Sequence, residues 1–150
     1  MIKRSAGLLV YRTTNVHPEV FLIHPGGPFF VKKDLGVWSI PKGEFDTEEP
    51  LTAARREFEE ETGFKVAGDF IELKPIKQKG GKLVYAWAVE SDFDASKIVS
   101  NTFPLEWPPK SGVMKEFPEA DRADWFNIET AKQKINPAQT DLIDELITRI

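Results

Sequence analysis

Hydrophobic positions fall into several short runs of strand length and two segments of helical period. Ser5 to Tyr11 and Glu19 to His24 are apolar runs that predict two strands, joined by the polar stretch Arg12 to Pro18. Pro25-Gly26-Gly27-Pro28 breaks the pattern, and a loop is expected from there to about Gly36. Val37 to Ile40 predicts a short strand, after which Pro41-Lys42-Gly43 leads into a polar loop. The clearest helix is expected from Pro50 to Thr62, with Gly63 placed to stop it. Phe70 to Lys77 and Lys82 to Val89 flank Gly80-Gly81, a hairpin signal. Ser91 to Glu119, rich in Pro, Phe and Trp, reads as ordered irregular loop, and Trp125-Phe126 begins or ends a further strand. Asn136-Pro137-Ala138-Gln139 then offers an N-cap, a first-turn proline and a capping-box glutamine. Leu142, Ile143, Leu146, Ile147 and Ile150 recur on one face of the helix that follows. Strands before, between and after two helices predict an α/β or α+β layer fold, with helices on the faces of a mixed sheet.

At 150 residues the chain fits one domain, spanning 1–150, and 41% hydrophobic residues with 11 Phe and 4 Trp supply one core. The net charge of -4 gives no long-range attraction for nucleic acid or anionic lipid, so neither DNA nor a membrane surface is an expected partner. With 0 Cys there is no disulfide, no thiolate nucleophile and no cysteine zinc site. His17 and His24 are the only histidines, so a three-histidine metal site is excluded, and a Ser-His-Asp triad would need one of the two. Met1 to Arg4 resembles the start of a signal peptide, but the apolar run after it meets Arg12 too soon, and a cytoplasmic protein is expected. Nothing in the sequence sets an oligomeric state.

Placed on a helix, Leu51, Ala54 and Phe58 form an apolar stripe, and Glu57, Glu60 and Glu61 share the adjoining sector. Three carboxylates at spacings of three and four repel one another, more strongly beside a buried stripe. Arg56 is one source of compensation; a hard divalent cation such as Mg²⁺ or Mn²⁺ is another. A solvated acidic face accounts for the same spacing equally well.

The linear order narrows the choice. Arg56-Glu57-Phe58-Glu59-Glu60-Glu61-Thr62-Gly63-Phe64 matches R-E-U-x-E-E-x-G-U, with U apolar, at every specified position, and Glu48 precedes Arg56 with seven residues between. On these residues the chain resembles the Nudix hydrolases. The resemblance implies an α/β/α sandwich with a mixed sheet between helices. It also implies that Glu57, Glu60 and Glu61 bind Mg²⁺ or Mn²⁺ at a substrate pyrophosphate, that Arg56 orients these acids by ion pairing, and that Glu48 supports the loop. The chain departs from the family at one place: only four residues separate Gly43 from Glu48 where the family has five, so the backbone carbonyl offered to the metal belongs to Lys42 or to Gly43. The family commonly brings one more glutamate from outside this motif as ligand or base. Glu106, between Leu105 and Trp107, is the first candidate, with Glu116 and Glu119 in reserve.

Candidate substrate contacts are Lys32, Lys33, Lys42 and Lys110 for phosphates, with Phe29, Phe30 and Trp107 either stacking a base or anchoring turns in the core. The run Ser5 to Tyr11 and the segment Trp38 to Gly43 are similar to the dinucleoside polyphosphate branch of the family. The expected function is therefore metal-dependent hydrolysis of nucleoside diphosphate-linked compounds of the diadenosine tetraphosphate type, by water attack on a phosphate. The alternatives are a nucleoside triphosphate pyrophosphohydrolase and a nucleotide-binding sensor without catalysis.

Overall fold

Residues 2–150, described by a computed structural model, are organised around a seven-stranded mixed sheet. Strand β1 (Arg4–Thr14) is its spine, buried from Ser5 through Val10. On one side it takes a parallel partner and on the other it is shared between two antiparallel ones. β2 (His17–Pro25) pairs with its second half from Tyr11↔Val20 to Thr14↔His17, and β3 (Lys42–Phe45) with its first half from Arg4↔Phe45 to Gly7↔Lys42. Gly7 lies at the fork: a β-carbon there would lie 2.5 Å from the Pro41 carbonyl oxygen, so glycine lets β3 come alongside. Two short strands, β4 (Ile71–Glu72) and β5 (Ile76–Lys77), edge β6 (Leu83–Glu90), which is the parallel partner of β1 from Arg4↔Leu83 to Tyr11↔Glu90.

The sheet's two faces follow from the period-two alternation of its strands. Ala6, Leu8 and Val10 of β1, with Phe21 and Ile23 of β2, pack under helix α1 (Pro50–Thr62) through Ala53, Ala54 and Phe58. The opposite residues, Leu9, Val20, Leu22, Ala86 and Ala88, are covered by Ala131 of α2 (Ile128–Lys134) and by Leu142, Ile143 and Leu146 of α3 (Thr140–Arg149). The result is the expected α/β/α sandwich. Buried Gln139, just before α3, is held by the segment that bridges to β2 at Ser39: its Oε1 accepts from the Ile40 N–H at 3.1 Å and its Nε2 donates to Ser39 Oγ at 3.0 Å. Among the described residues no helix is long and apolar enough to cross a membrane.

Several elements differ from the sequence expectations. Val37–Ile40 is not a strand, because its backbone pairs once with Ile23 (through Ser39) and once with Ile135 (through Trp38) and never makes a ladder. Lys42–Phe45, read as the start of a polar loop, is β3. The stretch read as irregular loop holds β7 (Thr102–Glu106) and β8 (Met114–Pro118), a separate two-stranded hairpin. Its residues are mostly exposed, so no apolar alternation announces it. Trp125-Phe126 lies inside β9 (Ala120–Asn127), which pairs with β2. Helix α2 was not anticipated, since it buries Ala131 alone; the Asn127 side chain caps it, accepting from the Thr130 N–H at 2.8 Å. Ile147 and Ile150 are exposed, so the apolar face of α3 ends at Leu146.

Candidate active site

The helix carrying the acids is fixed at both ends. Pro50 occupies its first turn, and Gly63, at φ 79°, closes it by donating to the Glu59 carbonyl at 2.7 Å. Two further carbonyls of the last turn are taken from outside: Asn101 N–H donates to Glu60 O and Val99 N–H to Thr62 O, both at 2.8 Å. Asn101 passes the link onward, its own carbonyl accepting from the Glu119 N–H at 2.9 Å. The base of the β7–β8 hairpin is thereby bonded to the end of α1. Between them lies a cavity of about 420 Å³, into which Glu57, Glu60, Glu61 and Glu119 all open, together with Lys42 and Gly43 of β3.

Arg56 is the counter-charge of this acidic group. Its Nε donates to Glu48 Oε2 at 2.9 Å, and its Nη1 donates to Glu57 Oε1 at 2.8 Å and to Glu60 Oε2 at 3.2 Å. The Glu48 hydrogen bond, with those of Glu57 and Glu60, holds the guanidinium charge on more firmly than usual, and in return Glu48 is kept below the ordinary carboxylate range. Arg56 does not reach Glu61. That carboxyl is pushed up to about 9, first by burial and then by the charges of Glu57 and Glu119, against the pull of Lys42. Burial also raises Glu57, and burial and the Glu60 charge raise Glu119.

Among the described residues no three His, Asp or Glu side chains are gathered tightly enough to hold an ion, and Arg56 pairs with Glu57 and Glu60. The donor set nonetheless fits a hard divalent cation. Glu61 Oε2 is buried without a hydrogen-bond partner beside the carboxylates of Glu57 and Glu119, and the side chains that could ligate an ion there, Glu57, Glu60, Glu61 and Glu119, all offer oxygen. A β-carbon on Gly43 would overlap the Glu57 carboxylate, so the bare glycine is what leaves that side chain room. Gly43→Ala displaces only the far end of a flexible side chain. We expect it to keep a melting temperature within a few degrees of the parent and to lower metal-dependent turnover at least about tenfold. Thermal melts paired with a turnover assay check this, and unchanged turnover would remove Glu57 from the site.

Of the other sequence candidates, some line this cavity and the rest lie outside it. Lys42, half-buried and lowered by burial and by the charge of Lys82, lines the cavity, and so does Gly43. Phe29, Phe30, Lys32, Lys33, Trp107 and Lys110 do not. Phe29 packs edge-to-face on Trp107 at 5.4 Å, beside the tip of the hairpin. Glu106, the first candidate for the further glutamate, lies outside the cavity; it is exposed and accepts the Lys110 N–H at 3.0 Å, stabilising the turn. Glu116 is exposed on β8, and Glu119, the other reserve, is the one the fold carries into the cavity. Buried His24 places its ring nitrogens 2.8 Å from Asp121 and 2.7 Å from the Lys33 carbonyl, which rules out a serine triad built on it. Ser5, Lys82 and Asn101 line the cavity without having been singled out from the sequence. The signal available for Lys82 was its place just after Gly80-Gly81, at the mouth of a strand.

Comparison with known proteins agrees with this architecture. The family model described as NUDIX domain matches residues 1–146. Ap4A hydrolase of C. elegans, solved as a binary complex, superposes with a TM-score of 0.67 at 20% identity, covering 98% of this chain and 96% of that one. The NUDIX domain of Shewanella oneidensis NrtR, solved with ADP ribose, gives 0.68 at 14% identity, covering 99% and 88%. MutT, from a study of the Aliivibrio salmonicida and Vibrio cholerae proteins, gives 0.59 at 15% identity, covering 99% and 98%. At these identities the likeness is one of fold. No curated protein sequence matches the chain.

Proposed function

The chain belongs to the NUDIX domain family and is a Nudix-type phosphoanhydride hydrolase, and from that premise we propose that it cleaves dinucleoside polyphosphates at the acidic cavity with Mg²⁺ or Mn²⁺. The observation that carries the reading is the cavity itself: three helical glutamates, one with an orphaned buried oxygen, facing half-buried Lys42. Nudix enzymes generally use divalent metal ions. When bound, such an ion offsets the charge of the phosphate oxygens and acidifies water. Glu57, Glu60 and Glu61 are the side chains that would hold it, joined by the carbonyl of Lys42 or Gly43. Arg56 keeps Glu57 and Glu60 in one sector, and Glu48 anchors Arg56 from the loop. Glu119, whose affinity for a proton is raised by burial and by Glu60, would accept the proton of the attacking water. The Lys42 ammonium would take a phosphate oxygen.

The hairpin favours a substrate with two bases. From Asn101 at the cavity to Trp107 the chain runs along β7, roughly 20 Å at strand rise. Trp107 and Phe29 at the far end offer an aromatic surface, with Lys110 close in sequence. A dinucleoside tetraphosphate spans from one to the other, whereas a mononucleotide reaches only the inner end.

Diadenosine tetraphosphate is therefore expected to be cleaved asymmetrically to mono- and triphosphate, with kcat/KM above that of each standard nucleoside triphosphate and of ADP-ribose. A magnesium-dependent panel of these compounds, with products separated by ion exchange, decides the matter. Preference for a triphosphate would overturn the substrate assignment and leave the hydrolase class. Trp107→Ala should cost the dinucleotide about 1–3 kcal/mol of transition-state binding and leave triphosphates unaffected.

A further inference from the structure

His24 is 0% exposed, the most deeply buried titratable side chain among the described residues, and it does not line the acidic cavity. Both of its ring nitrogens face acceptors. Nε2 lies 2.7 Å from the Lys33 carbonyl oxygen; a carbonyl can only accept, so Nε2 carries a proton and donates it. Nδ1 lies 2.8 Å from Asp121 Oδ1, which places a second, shared proton between ring and carboxyl, whichever of the two atoms holds it. Trp38 packs edge-to-face on the ring at 5.2 Å. That indole carries the Arg122 guanidinium over its own face and donates to Asp34, which also pairs with Lys134. A leucine would fill the same space with no polar atoms to satisfy, so packing alone does not call for a histidine.

What the ring holds is a loop. Residues 26–36 run from the end of β2 toward Trp38 with neither helix nor strand, and glycines at positive φ stand near both ends, Gly27 at 93° and Gly36 at 77°. The far end is tied separately, Asp34 to Trp38 and Lys134, and the Gly36 N–H to the Gln133 carbonyl. Among the described residues, the His24 bond to Lys33 is the sole hydrogen bond that the rest of the fold makes to residues 27–33. That bond is passed along the loop. The Lys33 N–H donates to the Phe30 carbonyl at 2.9 Å, closing a turn immediately after Phe29. Phe29, 57% exposed, then meets Trp107 beside the hairpin tip.

We propose that His24, oriented by Asp121, is a positioning residue: through the Lys33 carbonyl it sets the loop that presents Phe29 to Trp107, and with it the grip on the distal base of the substrate. It touches neither substrate nor metal. The proposal rests on the reading that Phe29 and Trp107 receive that base. Preference for a substrate with two bases is then set partly in the interior, between β2 and β9, and not on the exposed rings alone.

Asp121→Ala frees the ring at a half-exposed position, and His24→Leu fills the space without a donor. Asp121→Asn is the conservative exchange, since its amide can donate to Nδ1 and leave the Nε2 proton for Lys33. Hydrogen exchange at residues 29–33, read by mass spectrometry without substrate, should quicken at least about tenfold in Asp121→Ala and His24→Leu and keep the parent rate in Asp121→Asn. The Nε2 proton of the parent should appear in NMR spectra as a slowly exchanging ring N–H, and be lost in Asp121→Ala. With diadenosine tetraphosphate, Asp121→Ala and His24→Leu should raise KM about fivefold with little change in kcat, as Trp107→Ala does, and Asp121→Asn should restore the parent KM. Should His24→Leu fail to fold, Asp121→Ala carries the test. Parent-like exchange in Asp121→Ala overturns the proposal whatever the substrate is, and so does a parent KM there alongside a raised KM in Trp107→Ala. A parent KM in Trp107→Ala instead sinks the base reading, and the exchange rates alone then decide whether His24 holds the loop.

Discussion

Glu61→Gln is expected to lower turnover by at least about two orders of magnitude and, without divalent ions, to make the fold more stable. Both effects come from one carboxyl group. It is buried beside Glu57 and Glu119, its Oε2 is unpartnered, and it is pushed up to about 9. In the unfolded chain the same group ionises near 4.5. Between those values the folded protein keeps a proton that the unfolded chain has lost, so stability of the metal-free form falls as pH rises, by up to about 1.4 kcal/mol per pH unit. Glutamine cannot ionise, so Glu61's share of the slope should vanish with it and leave only the smaller contribution of the raised Glu57 and Glu119. Metal binding expels the proton, so added magnesium should flatten the slope in the parent and do nothing for the variant. Melts in a chelator at pH 5, 7 and 8.5 check this. A variant with the parent's pH slope, or with near-parent turnover at saturating magnesium, removes Glu61 from the proposed ligand set.

Ending the chain before Asn136 is expected to abolish cooperative folding. The deletion strips away Leu142, Ile143 and Leu146, each no more than 1% exposed, and uncovers Leu9, Val20, Leu22, Ala86 and Ala88 on the sheet. Burial of each large aliphatic side chain contributes about 1.5–3 kcal/mol, and three of them match much of the roughly 5–15 kcal/mol by which a domain is stable. The same cut removes Gln139, leaving the Ile40 N–H without its acceptor. Circular dichroism on heating should show no sigmoidal transition. A soluble truncation that melts cooperatively would mean that α3 is not what covers that face.

The parts of the site written in local spacing were legible before the fold. Glu57, Glu60 and Glu61 stand three and four residues apart, and Arg56 and Glu48 lie within one helical segment and its preceding loop. A window of sequence contains them all. Ser5 and Lys82 are different, because strand register alone brings them together: β1 pairs with β3 and β6, and no window holds all three strands. Ser5 reads as the first residue of an apolar strand, and its hydroxyl is seen to be buried without a partner only once its neighbours are placed. Glu106 drew attention for the prolines and aromatics around it, but those prolines build an exposed turn. Glu119 carried no such signal; it enters the cavity because Asn101 and Gly26 fix its backbone at the foot of the hairpin. The strands of that hairpin were missed for a related reason, as they pair with each other and bury little.

The hairpin's independence from the main sheet makes it an exchangeable part. Its foot is bonded to the end of α1 through Asn101, while its strands hydrogen-bond only to each other. Lengthening, shortening or replacing the stretch from Phe103 to Phe117 therefore alters reach and grip at the far end and leaves the acids anchored where they are. A protein built this way can acquire new substrates by grafting one protrusion, with its chemistry inherited unchanged.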